Sequence, residues 1–312
     1  MIKNPVVCIG AALIDESFIC VREPQPGTSN PSRYYRSAGG VARNVAQHLA
    51  QLGNSVELIS HFGTDQEGKW LFEKSAAAGI GLSHSIISST PTGRYAAVLS
   101  DDGDLFIGAA ATHFETTITV TFLKEKKDLL KSASLLLLDC NLSKECLQWL
   151  LDFSQEENVP VVVDPVSIEK SKHLQNLNLQ NVLLITPNQD ELRSITGLPA
   201  NSDFDSMFSR IQNLGIQHIW IRNGADGSKI FSRDEVHVHP PSALSIVDAT
   251  GAGDAALAGW IHAWLRGKKI IECLAYGHSL AALIVQTKGA VLDELNADLL
   301  ESKILASEKN EH

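Results

Sequence analysis

The chain lacks most of what would tie it to nucleic acid, a membrane or an oxidising compartment. Its 312 residues carry 26 Lys and Arg against 36 Asp and Glu, a net charge of −10, with no basic stripe. That argues against a nucleic-acid or anionic-membrane surface, but leaves room for a small anion held by backbone N–H groups and a metal ion. No run approaches the ~20 apolar residues of a spanning helix. The opening MIKNPVVCIGAALID, with Pro5 and Asp15 flanking a short apolar stretch, predicts a buried strand rather than a leader. The five cysteines, Cys8, Cys20, Cys140, Cys146 and Cys273, are odd in number and lack CxxC spacing. They suit reduced thiols in a cytoplasmic protein, not a disulfide framework or zinc site. Internal repeats and low-complexity segments are missing too. So are the GxGxxG and Walker patterns, which argues against a nicotinamide-dependent oxidoreductase and a P-loop enzyme.

What is present is an alternation of strand and helix patterns. Hydrophobic content of 44% with 20% charged residues supports a sizeable core. Continuous apolar runs recur at 6–10, 56–60, 135–139, 161–164, 182–186 and 219–222, as expected of strands buried on both faces of a parallel sheet. Helical patterns lie between them at 41–52, 145–155 and 206–214. The expected class is therefore α/β, a three-layer sandwich around a mostly parallel sheet. Two stretches, about 15–37 and 92–111, predict antiparallel strands of a small projecting sheet, within one domain spanning 1–312.

Four motifs could carry chemistry. DATGAGD (248–254) places Gly251 and Gly253 ahead of an alanine-rich helix. The glycines let N–H groups converge at the positive helix end, and Asp254 is either an acidic first-turn residue or a general base. In SAGGVARNVAQHLAQLG (37–53), Gly39 and Gly40 allow close backbone approach and Asn44 offers a donor and an acceptor to a sugar hydroxyl. Asp15, after the first strand, could accept bonds from the same ligand. In TPNQDEL (186–192), Asn188 and Glu191 form either a capping box or part of a magnesium site. IRNGADGSKIF (221–231) predicts a hairpin at Gly224 and Gly227, with a nucleotide-phosphate contact as the alternative.

Taken in order, GGVARNVAQHLAQLG, SHFGTDQEG, PNQDE, NGADG and DATGAGDAALAG resemble the signatures of the ribokinase or PfkB-type carbohydrate kinases, from about residue 5 to 295. Within that family the chain looks most like the pseudouridine kinases, through residues 29–47, 135–151 and 159–170. The resemblance implies ATP-dependent phosphorylation of a ribosyl 5′-hydroxyl, with a ribokinase-like sugar kinase, another nucleoside kinase or a non-catalytic binder as alternatives. It implies Asp254 as base and Gly251, Ala252 and Gly253 as the anion hole. Asp15, Gly39, Gly40 and Asn44 would hold the sugar, and Asn30 and Asn141 would read the base. Asn188 and Glu191 would organise hydrated magnesium, while Arg222, Gly224, Gly227 and His278 would lie on the ATP side. Asp248 and Thr250, with the 286–290 loop, match a potassium site of many relatives. The projecting sheet would be a lid that also pairs two subunits. Three positions depart from the family pattern: Leu13 replaces a common Asn, TPN replaces NPN, and Arg222 stands near a position often held by a small hydroxyl residue.

Overall fold

The computed structural model describes residues 4–199, 202–224, 227–232, 235–239, 250–287, 289–292 and 294–310. Its strands are β1 (Val6–Ile9), β2 (Leu13–Cys20), β3 (Ser32–Gly39), β4 (Val56–Ile59), β5 (His61–Gly63), β6 (Ile86–Ser88) and β7 (Arg94–Leu99). They continue as β8 (Leu105–Ala111), β9 (Leu135–Asp139), β10 (Val161–Asp164), β11 (Val182–Ile185), β12 (His218–Arg222), β13 (Ser228–Phe231) and β14 (Val236–His239).

Eight strands make one sheet in the order β14-β13-β12-β11-β10-β9-β1-β4. From β4 to β12 neighbouring strands are parallel, and the β12–β13–β14 end is antiparallel. The apolar runs are continuous because both faces are covered. Val6 and Cys8 of β1 pack into one core cluster and Val7 and Ile9 into the other. Helices Val41–Gln51, Ala252–Trp264 and Ile270–Ile284 lie on the first face, and Lys144–Glu157 and Gln189–Thr196 on the second. Parallel strands end on a common edge, so Gly10, Asp139, Asp164, Thr186 and Arg222 gather at the carboxyl side of the sheet. The order reverses at β1, which is flanked by β4 and β9; in open parallel sheets, ligands bind outside the strand carboxyl ends at such a reversal.

The second sheet has the order β3-β2-β7-β8. It joins two antiparallel pairs, β2–β3 and β7–β8, through a parallel β2–β7 pairing. Its strands fall at the two stretches expected to project. Ion pairs tie it to the Gln66–Ala77 helix: Arg36 to Glu67 at 2.7 Å and Arg94 to Glu67 at 4.0 Å. Each is partly exposed, so each adds little stability by itself. Every residue of β8 is exposed. A two-stranded β5–β6 ribbon completes the described sheets.

Candidate active site

The Ala252–Trp264 helix starts from Gly251, whose φ is 75°. A β-carbon there would lie 2.5 Å from Ala290, so both the left-handed backbone and the packing demand glycine. Behind the turn, Ala255 through Ala263 are buried. A β-carbon on Gly259 would fall 2.6 Å from the Tyr276 carbonyl oxygen, so the absence of one lets the Ile270–Ile284 helix pack at backbone distance. The alanine-rich helix is therefore a fixed post. Its first-turn N–H groups, on Ala252, Gly253 and Asp254, have no acceptor within the helix and face outward with the positive end of the dipole.

Asp254 sits in that turn. Its Oδ2 accepts a hydrogen bond from Asn44 Nδ2 at 2.9 Å. Burial, then the negative charge of Asp164, pushes its carboxyl up to about 7, with Asn44 and Arg222 opposing the rise. Asn44 is itself buried in the first turn of the Val41–Gln51 helix.

The glycine pair before that helix has two different reasons. A β-carbon on Gly39 would lie 1.8 Å from Asp15 Oδ2, so the aspartate packs onto the bare α-carbon. Gly40 has φ 97° and no room beside the Ala11 carbonyl. Burial raises Asp15 to about 6, with the Arg43 guanidinium holding it down. Asp15 of β2 and Gly39 of β3 thus adjoin Gly40, and Asn44, whose N–H bonds the Gly40 carbonyl at 2.8 Å, links them to Asp254.

Arg222, at the end of β12, bridges that cluster to the main sheet. It donates to the Gly253 carbonyl at 2.8 Å, to Thr186 O at 2.9 Å and to Asp164 Oδ2 at 3.0 Å. The same Asp164 oxygen accepts from Thr186 Oγ1 at 3.0 Å, and its Oδ1 accepts from Val166 N at 2.9 Å. The threonine of TPN is therefore part of this network. Beside it, the capping box is complete: Glu191 N donates to Asn188 Oδ1 at 2.8 Å, and Asn188 N donates to Glu191 Oε2 at 3.0 Å. The Glu191 carboxyl is raised by burial and by Asp164, against Asn188 and Arg222. The four groups Asp164, Glu191, Arg222 and Asp254 form one electrostatic unit. Asp164 was not among the sequence candidates; its signal is an aspartate at the carboxyl end of a buried strand, level with Asp139 in register.

Other candidates fall elsewhere or are already engaged. The Asn30 amide bonds the backbone of Gln25 and Thr28, closing its own loop rather than facing the cluster, because an asparagine beside a turn satisfies the nearest backbone first. Asn141 is buried at the end of β9, with its N–H on Asp139 Oδ1 at 3.0 Å, while Ser143 caps the following helix. Asp139 also accepts from Ala11 N and Ala42 N, at 2.9 and 3.1 Å, so it caps the Val41–Gln51 helix from a neighbouring strand. Leu13, where relatives often carry Asn, is buried. Gly224 and Gly227 close the β12–β13 hairpin through Gly227 N to Gly224 O at 3.3 Å. His278 bonds Ser228 at 2.8 Å and stacks on His239 with 3.6 Å between ring centroids. Thr250 is exposed beside the turn, and Asp248 lies outside the described residues.

Comparison with known proteins places this geometry. Residues 3–297 match the model of the pfkB family carbohydrate kinases. The chain is 29% identical to a pseudouridine kinase of Escherichia coli (strain K12) over 287 residues, covering 90% of each. It is 26% identical to a ribokinase of Arabidopsis thaliana over 298 residues, 92% of this chain and 77% of that one. The structure of Arabidopsis thaliana ribokinase complexed with ribose and ATP shares the fold, with TM-score 0.79, 23% identity and coverage of 97% and 99%. The chain belongs to the pfkB family carbohydrate kinases and is a sugar or nucleoside kinase, a phosphotransferase acting on a hydroxyl group.

Proposed function

We propose that this kinase transfers the γ-phosphoryl group of ATP to the ribosyl 5′-hydroxyl of pseudouridine. The observation that carries the phosphoryl transfer is Asp254, a carboxyl held by Asn44 at a helix N-terminus and raised to about 7, and the choice of acceptor rests on the similarity to a pseudouridine kinase. A general base works best with a pKa near the working pH. In the proposed step the Asp254 carboxylate takes the hydroxyl proton as the hydroxyl oxygen bonds to the γ-phosphorus. The bond from that phosphorus to the β–γ bridging oxygen breaks, and ADP leaves with the electron pair. The N–H groups of Gly251, Ala252 and Gly253 would face the transferring group, so the charge it gains would be met by dipoles already in place.

Asp15, Gly39, Gly40 and Asn44 would hold the ribose hydroxyls. Asn141 is assigned to the uracil-like base in preference to Asn30, whose amide is spent on its own loop. Asn188, Glu191 and Asp164 would offer the oxygens that orient hydrated magnesium; such an ion keeps several waters and takes one or two carboxylates beside phosphates. When bound, magnesium neutralises phosphate charge. Arg222, Gly224, Gly227 and His278 lie toward the proposed nucleotide side. A potassium ion near Thr250 and the 286–290 loop would brace the Gly251 turn, against which Ala290 packs.

The four-stranded sheet would close over the sugar to exclude water, and its exposed β8 edge would pair with a second copy of this chain. The whole would act as one catalytic domain. The described cysteines are free and buried, which suits the reducing cytoplasm. Among the described residues, no helix is long and apolar enough to cross a membrane.

ADP release from ATP and magnesium against pseudouridine, uridine, adenosine, ribose and fructose tests the reading. Turnover selective for pseudouridine supports it. Turnover of ribose or adenosine keeps the chemistry and replaces the substrate. Thermal stabilisation by pseudouridine without ADP formation turns the protein into a binder.

A further inference from the structure

Arg43 is fully buried, one residue before the asparagine that bonds the proposed base. Its guanidinium donates to Ser75 Oγ and Ala38 O, each at 3.4 Å, to Asn44 Oδ1 at 3.1 Å, and to Gln47 Oε1. Ser75 Oγ gives its own proton to Leu71 O at 2.7 Å, so it is left as an acceptor for the arginine. The guanidinium is thereby held in place by groups on the helices Val41–Gln51 and Gln66–Ala77.

An arginine has donors only, and an asparagine amide has one accepting and one donating end. The Asn44 oxygen must therefore face Arg43, which leaves the Asn44 NH2 to face Asp254. With the amide turned over, two sets of donors would meet at Arg43, and the Asn44 oxygen would face Asp254, an arrangement that favours a protonated Asp254. The geometry points to Arg43 as a positioning residue that locks the Asn44 amide with its donor toward Asp254, keeping that carboxyl a proton acceptor.

This inference rests on Asp254 being the base. The other groups acting on Asp254 are Asp164 and Asp15, which favour its protonated form, and Arg222, which favours its charged form. Arg43 also faces Asp15 and His48. Its action on Asp254 runs through the Asn44 hydrogen bond, because a donor to a carboxylate favours the ionised state.

The test is direct titration of Asp254 in the full chain by carboxyl 13C NMR without substrate, the signal being assigned by its loss in Asp254→Asn. Arg43→Gln, whose amide can donate or accept, is expected to raise the midpoint by about 1 pH unit. Arg43→Lys, still a donor only, should leave it near the wild-type value. Asn44→Leu should raise it as well, and Arg43→Gln with Asn44→Leu should raise it no further than Asn44→Leu alone. Arg43→Met carries the Arg43→Gln expectation if the glutamine variant does not fold. An unchanged midpoint in folded Arg43→Gln or Arg43→Met, or additive shifts in the double variant, would overturn the inference. The pH profile of kcat/KM, measured beside it, separates the two claims. A wild-type protein with no turnover overturns the kinase reading while the titration still decides the role of Arg43.

Discussion

The turn at Gly251–Asp254 and the four-stranded sheet above it are built on opposite terms. The turn and the helix behind it are over-determined: Ala290 packs against Gly251 and Arg222 against Gly253 in the turn, and Tyr276 against Gly259 in the helix, and none leaves space for an added carbon without displacement. The sheet ends in β8, exposed along its whole length, with Leu105 58%, Phe106 45% and Ile107 58% accessible. Charge stabilisation in phosphoryl transfer needs dipoles that do not reorganise, and tight packing supplies that. A surface that must close on a ligand, or pair with another chain, needs apolar area left uncovered and few contacts to break. The contrast therefore separates a close-packed turn, for which the chemistry is proposed, from a sheet with uncovered apolar area, for which closure and pairing are proposed.

The contrast breaks most sharply at Gly251. Gly251→Ala forces a left-handed backbone on alanine, costing about 1–2 kcal/mol, and pushes its methyl group into Ala290. Steady-state turnover should fall by roughly 10²–10³, the loss typical of one misplaced anion-hole donor. Near-normal turnover would show the turn to be more forgiving than its packing indicates.

Arg222→Met tests the link between the turn and the sheet. Asp164 loses its cation but keeps Thr186 and Val166, so the expected cost is about 2 kcal/mol, below that of a wholly orphaned buried charge. The sign of the second effect is set by Arg222 opposing the rise at Asp254. Removing it should carry the rising limb of the kcat/KM profile to higher pH. A lower Tm with an unmoved limb would make Arg222 a purely structural tie.

The smallest effect belongs to β8. Leu105→Asp combined with Ile107→Asp should change folding stability by no more than ~0.5 kcal/mol, as exposed substitutions do. If the sheet pairs two copies, sedimentation equilibrium should show the mass halved. An unchanged mass would remove the lid from the proposed dimer.

Much of this was legible in the chain because period and glycine placement are local signals. The apolar runs at 135–139 and 161–164 are buried strands, and Gly39-Gly40 and Gly251 mark positions where only glycine fits. The capping box of Asn188 and Glu191 could be drawn from spacing alone. What spacing could not show were partnerships across distant segments. Asp139 caps a helix nearly a hundred residues before it, and Asp164 pairs with Arg222 from another strand, because parallel strands bring sequence-distant carboxyl ends to one edge. Asn30 illustrates the opposite limit: its type fits base recognition, but the backbone of its own loop competes for the same amide and wins.

The most direct test of the account is Asp254→Asn, read by turnover and by Tm as a function of pH. With the carboxyl raised from 3.8 to about 7, the folded state holds this proton more tightly than the unfolded state. Stability from this group therefore falls as pH rises from about 4 to 7, and its cost is complete above that range. The account predicts that Asp254→Asn loses roughly 10²–10⁴ in turnover, yet melts at or above the wild-type temperature at pH 8, the difference fading below pH 4. Wild-type turnover in that variant would contradict the central claim.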